Sequence, residues 1–198
     1  MSRIPWWGLV SSAAAPVLLA GGWTLGASRQ PAEFNSVTGT ISALAAHDAT
    51  DRWIMTGALV GVGVCHCVTA AALGGVAARQ GLVVFTAGEV FTVGVAAFPQ
   101  PVSGGSAAHT TVAALAFGAL ATWPFLTARR EAPLVLRPGA SVPAGLLLSA
   151  LVGWFTIELK GGQRVGLAER VAAGAQALWP LAVVAAGRLG EVQRRSLT

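Results

Sequence analysis

Charge is what this chain has least of. Only 11% of its residues are Asp, Glu, Lys or Arg, against about 25% in soluble domains. Too little polar surface is left to cover an ordinary soluble globule. Tyrosine is absent, lysine occurs once, and there are three histidines and two cysteines. Cys65 and Cys67 stand two apart inside an apolar run, which excludes a disulfide framework. Also missing are a phosphate-cradling Gly loop with Lys-Ser/Thr, a Ser nucleophile elbow and a His-Glu-x-x-His helix. No aspartate-rich motif for magnesium-diphosphate is present. The net charge is +5, but the bases are scattered singly and do not interleave with aromatics, which excludes a nucleic-acid partner.

What remains is strongly apolar. Hydrophobic residues make up 54% of the 198 and the mean hydropathy is +0.66. Twenty-five glycines and seven tryptophans complete the composition of a polytopic helical membrane protein. A spanning helix needs roughly 20 mainly apolar residues. Six such runs are read at 6–26, 53–78, 82–98, 109–128, 142–159 and 167–186. The expected fold is all-α: one integral-membrane domain over 1–198, built as a six-helix transmembrane bundle. Five further spans argue that the first run is retained rather than cleaved as a signal peptide.

The bases set a direction. Placing both termini in the cytoplasm puts Arg3, Arg79, Arg129, Arg130, Arg137, Arg188, Arg194 and Arg195 inside, and Arg29, Arg52, Lys160, Arg164 and Arg170 outside. That bias agrees with the positive-inside rule and points to a multi-pass protein of a bacterial cytoplasmic membrane. The longest outer loop, 27–52, contains an apolar patch, Ile41 to Ala46, expected to form a short helix on the membrane surface. Gly22/Gly26 and Gly57/Gly61 are spaced for close helix contact, within the bundle or between copies of a homo-oligomer.

An ionisable group inside a span is costly and is therefore a functional hypothesis. His66 in the second run and Glu89 in the third qualify. Joined by a short inner turn, their helices run antiparallel, so the two side chains can meet at one depth. Desolvation favours a neutral carboxylic acid there, able to donate a proton; a Glu89–His66 bond that merely joins two helices is the plain alternative. Asp48, Asp51, His109, Glu158 and Glu169 gather near outer helix ends. Together they are read as the mouth of a polar pocket, although Asp51 and Glu169 are also placed where acids favour the helix dipole. The inner acids are Glu131 and Glu191, each beside arginines. Phe85 and Phe91 flank Glu89, and Trp123 and Trp179 lie deep, each followed by proline. Those four, with Trp53, Trp154 and Phe155, are the candidate substrate contacts; Trp6, Trp7, Trp23, Trp53 and Trp154 stand at span ends, where an interfacial belt also explains them. No two histidines share a helix face, so neither a metal nor another cofactor is expected.

Three strings carry a resemblance: TISALAAHDATDRWIMTGALVGVG, AAFPQPVSGGSAAHTTVAALAFGALATWP and GLAERVAAGAQALWPLAVV. They resemble the actinobacterial branch of the integral-membrane family of domain of unknown function 998, which implies the span count but no chemistry. In size, span count, intramembrane acids and deep aromatics the chain also resembles drimentine-type membrane-bound terpene cyclases. That resemblance implies protonation of an alkene or epoxide in a hydrophobic prenylated small molecule such as a farnesylated indole, reached through membrane lipids. Two other readings stay open. One is a non-enzymatic lipid-binding or transport module. The other is a metal-dependent lipid amide hydrolase using His47, His66, His109 and nearby acids.

Overall fold

The computed structural model describes residues 3–101, 105–130 and 132–195, without the side chains of 191–195. Glu131 and the side chain of Glu191 therefore lie outside the described residues. The chain forms α1 (Trp6–Ser28), α2 (Ile41–Leu44), α3 (Trp53–Ala72), α4 (Arg79–Ala97), α5 (Ala107–Thr127), α6 (Pro138–Glu158) and α7 (Val165–Arg195), with a 3₁₀ turn at Leu134–Leu136. No strand occurs among the described residues. Helices α1, α3, α4, α5 and α6 contain 19 to 23 residues and are long and apolar enough to cross a membrane. At about 1.5 Å per residue they match a hydrocarbon core of roughly 30 Å. Helix α7 is longer, at 31 residues, and carries charge near both ends.

Every apolar run became helix, but the boundaries moved where the local chemistry demanded. Helix α3 stops at Ala72 rather than 78 because Gly74 and Gly75 follow, and two glycines together disfavour helix by about 2 kcal/mol. A tight turn then forms as Val76 N–H and Ala77 N–H both donate to the Leu73 carbonyl. Helix α6 starts at Pro138, four residues before the apolar run, since proline fits the first turn, where no N–H is needed.

The long helices close into a ring in chain order: α1 packs on α3, α3 on α4, α4 on α5, α5 on α6, α6 on α7 and α7 on α1. Arg188 donates from Nη1 to the Ile4 carbonyl at 2.7 Å, so the chain start and the late part of α7 share one end of the bundle, here the near end. Residues 29–52 lie at the opposite, far end. Gly22 lets α1 and α3 approach closely, since a Cβ there would overlap Ala58. Gly57 faces open space instead.

One expectation is corrected. The Ile41 to Ala46 patch does not lie on the surface: Ile41, Leu44, Ala45 and Ala46 are buried, and α2 is tucked between α1 and α7. Its polar groups are satisfied internally, with Thr40 Oγ1 accepting from Ala43 N–H and Glu169 taking the Ile41 amide and Ser42 hydroxyl. With these groups paired, burying the apolar side chains is favourable.

Candidate functional site

The site is built where α3 and α4 come closest. Gly63 permits that approach: a Cβ there would stand 2.9 Å from the Glu89 carbonyl oxygen and 2.5 Å from Val93 Cγ2. Three residues on, His66 lies on the same face of α3. Its Nδ1 lies 2.7 Å from Glu89 Oε1, and both side chains are 1% exposed. Glu89 is ten residues from the start of α4 and eight from its end, so about 15 Å and 12 Å from the two ends. Glu89 thus lies near the middle of α4.

Aromatic rings hold it from behind. Phe85, one turn before Glu89, packs on the His66 ring at 5.4 Å. Phe85 in turn stacks on Trp123 of α5 at 4.6 Å between centroids and 23° between planes. Fixed between this stack and Glu89, the imidazole has little rotational freedom. His66 Nε2 and Glu89 Oε2 are buried without a hydrogen-bond partner, and both residues line an internal cavity of about 70 Å³. Its walls are otherwise mainly apolar, with Leu19, Leu59, Val62, Val95 and Phe117 among them.

Glu169, four residues into α7, lines the same cavity nearer the far end, together with Ile41 and Ser42. It is 3% exposed. Its Oε2 accepts from the Ile41 amide and its Oε1 from the Ser42 hydroxyl at 3.1 Å. The adjacent Arg170 turns the other way and donates from Nη1 to the carbonyls of Ser36, Gly39 and Gly166 at 2.7–3.0 Å. Two successive residues of α7 thus fasten the far-end loop. Across the cavity, Gln176 donates from Nε2 to the Phe117 carbonyl at 2.9 Å and joins α7 to α5.

Of the seven expected reactive groups, His66, Glu89 and Glu169 meet at this cavity. The other four do not, because each is engaged locally or faces outward. Asp51 is exposed, 4.0 Å from Arg29 Nε, in the left-handed backbone region at φ 50° that leads into α3. Asp48 is exposed. Glu158 closes the α6–α7 turn, accepting from Arg164 N–H at 2.8 Å and Trp154 Nε1 at 3.3 Å. His109 is buried at the start of α5 with Nδ1 2.9 Å from the Phe98 carbonyl. The pocket mouth read from the far-end acids is not assembled.

The aromatic candidates are placed differently as well. Phe85 and Trp123 back the His66 ring, and Phe155 backs Phe117 at 5.2 Å. Phe91 borders a groove on the outer surface between α3 and α4. Trp53 is 68% exposed with the Arg52 guanidinium 4.3 Å from its ring, an interfacial arrangement. Trp154 packs beside Phe155, and Trp179 beside the near-end core. Phe117, Ser42 and Gln176 were missed. A lone glutamine inside the last apolar run was the available signal for Gln176.

The histidines go to three places: His66 to Glu89, His109 to Phe98, and His47 to Arg52 at 3.2 Å. Among the described residues no three His, Cys, Asp or Glu side chains converge as a metal-binding set. A zinc site takes three or four such ligands, and the described residues bring together no such set.

No curated protein and no solved structure is recognisably similar to this chain. The family model described as "Protein of unknown function (DUF998)" matches residues 12–186, from the second turn of α1 through most of α7 and so across the whole helical ring; the chain belongs to that family.

Proposed function

We propose that this chain is a single-domain enzyme of a bacterial cytoplasmic membrane, with six spans and both termini cytoplasmic, in which Glu89 donates a proton to an alkene or epoxide of a prenylated substrate. One observation carries the reading: Glu89 Oε2 and His66 Nε2 are buried without a hydrogen-bond partner, and both residues line a mainly apolar cavity. A pair serving only to join helices is expected to satisfy its polar atoms, since each buried unsatisfied group costs about 1–3 kcal/mol. Leaving two unsatisfied is reasonable where a ligand meets them. Protonation needs an acid kept out of water and apolar or aromatic walls that do not compete for the proton. Phe117 lines the cavity, and an aromatic ring there suits a developing carbocation.

At about 70 Å³ the cavity exceeds the roughly 10–15 Å³ that holds one water. It is smaller than the roughly 300–1,000 Å³ of sites that enclose a whole ligand. Only the reacting end of an amphiphile fits such a volume. His66 orients the acid through Nδ1; its free Nε2 takes the proton that the cyclised cation gives up, and Nδ1–H returns one proton to Glu89, so the cycle balances. The sixth span in this proposal is α7, with Glu169 and Arg170 near the outside and Arg188 near the inside.

The test is incubation of the purified chain in lipid nanodiscs with farnesylated indole, as the alkene and as the terminal epoxide, with chelator present. Cyclised product that falls at least about 100-fold in Glu89→Gln supports the proposal. Product formation that survives the substitution removes Glu89 from the chemistry.

A second reading, proton-coupled transport of an amphiphile, rests on Glu169. It is a second buried carboxyl in the same cavity, and its partner α2 closes the far end. Intramembrane acid and histidine series are common in proton relays. Glu89-dependent substrate uptake into proteoliposomes without any product is the result that favours it.

A further inference from the structure

Two surface depressions on the outside of the ring share a residue. One is a groove of about 630 Å³ between α3 and α4, running along α4 from Arg79 to Phe91 with Ala71 on its α3 side. The other is a bowl of about 730 Å³ at the near end, between the start of α4 and the end of α5, holding Arg79, Gln80 and Arg129. Arg79 and Val83 border both.

From these we infer that the near end of α4 is a binding site for an anionic phospholipid, with the phosphate in the Arg79–Arg129 bowl and one acyl chain in the α3–α4 groove. Three observations converge. First, the dimensions fit: Arg79 to Phe91 is twelve residues, about 18 Å of helix, close to the roughly 15 Å of hydrocarbon in one leaflet. The groove therefore starts at headgroup level and ends near the bilayer midplane, as an acyl chain does.

Second, the charge is complementary. Arg79 and Arg129 are both exposed, and neither pairs with a carboxylate among the described residues. Two exposed guanidinium groups at the headgroup level attract an anionic lipid, and their planar forks suit phosphate oxygens. Third, the first-turn amides of α4 have no side-chain cap to compete with a phosphate. The N-cap residue of α4, Ala78, makes no side-chain bond to the first-turn amides, and the positive end of that helix favours an anion. On the α5 side, the Trp123 and Pro124 carbonyls are taken by the Thr127 and Ser141 hydroxyls, which blunts the negative end of α5.

A zwitterionic lipid has the same chains, but its ammonium or choline offsets the phosphate, so the bowl discriminates by net headgroup charge. The site does not involve the internal cavity and is independent of the proposed chemistry there.

The full chain is placed in nanodiscs of mixed phosphatidylglycerol and phosphatidylcholine, transferred to detergent, and the retained phospholipid counted by native mass spectrometry. Wild type is expected to retain phosphatidylglycerol preferentially. Arg79→Ala with Arg129→Ala should lower that preference roughly 30-fold. Arg52→Ala, at the far end, should leave it unchanged. Ala71→Phe, which fills the groove from an exposed position without changing charge, should reduce retention while the circular dichroism stays that of wild type. Equal retention of the two lipids by wild type overturns the proposal, as does preference surviving the double arginine substitution or falling equally with Arg52→Ala. Retention unaffected by Ala71→Phe overturns the placement of the acyl chain.

Discussion

Replacing Glu89 by glutamine exchanges a proton donor for an amide of the same shape. Because volume is kept, no cavity opens between α3 and α4, and the amide still reaches the 2.7 Å bond to His66 Nδ1. The stability change is expected to stay below about 1 kcal/mol. Glu89→Leu is different. It strands Nδ1 in a ring whose Nε2 already lacks a partner, at 1% exposure, and should cost about 1–3 kcal/mol. Removing both partners in His66→Leu/Glu89→Leu deletes the stranded groups together and should recover about 1–2 kcal/mol, in line with interhelical hydrogen bonds in membranes. The stability order is therefore wild type and Glu89→Gln highest, the double variant next, and Glu89→Leu lowest. Unfolding in mixed micelles by added dodecyl sulfate, followed by circular dichroism, measures it. Product formation should follow another order, with all three variants at least about 100-fold below wild type. A pair with a structural role alone makes activity track stability, so an active Glu89→Gln refutes the proton-donor argument. Glu89→Leu as stable as wild type refutes the interaction itself.

Three further outcomes follow from the fold. Gly63→Leu must push α3 away from the Glu89 carbonyl and should lower stability by about 1–3 kcal/mol; a variant as stable as wild type in the same dodecyl sulfate titration contradicts the close helix crossing. Glu169→Ala frees the Ile41 amide and Ser42 hydroxyl, so hydrogen exchange at residues 40–46 should accelerate at least tenfold while α5 is unaffected; equal protection in both proteins means that Glu169 does not hold α2. For topology, Arg3→Cys and Gln163→Cys are made in a chain with Cys65 and Cys67 replaced by Ala. An impermeant maleimide should label Gln163→Cys from outside intact cells and Arg3→Cys only after lysis, and labelling of both from one side refutes the proposed arrangement.

The sequence by itself determined the class of fold. A charge content of 11% and six apolar runs leave membrane-spanning helices as the way to satisfy the backbone, and each run contributes one long helix of the structure. The Glu89–His66 contact was also legible, since a short turn makes their helices antiparallel and both lie at similar depth. Other features depend on partners distant in sequence. Whether an acid near a helix end opens a pocket depends on what it meets. Glu158 met the Arg164 amide six residues away and was absorbed by a turn. Glu169 met Ile41 and Ser42, 128 and 127 residues away, and became a wall of the cavity. The apolar patch at α2 has the composition of an interfacial helix, and only its pairing with Glu169 turned it inward. Likewise, no spacing rule marks Phe117 as cavity-lining or Phe91 as outward-facing. A helix that is apolar all round carries no periodic signal for which face meets lipid and which meets protein. That choice belongs to the closing of the ring, which brings residues of α5 and α7 to one cavity with those of α3 and α4.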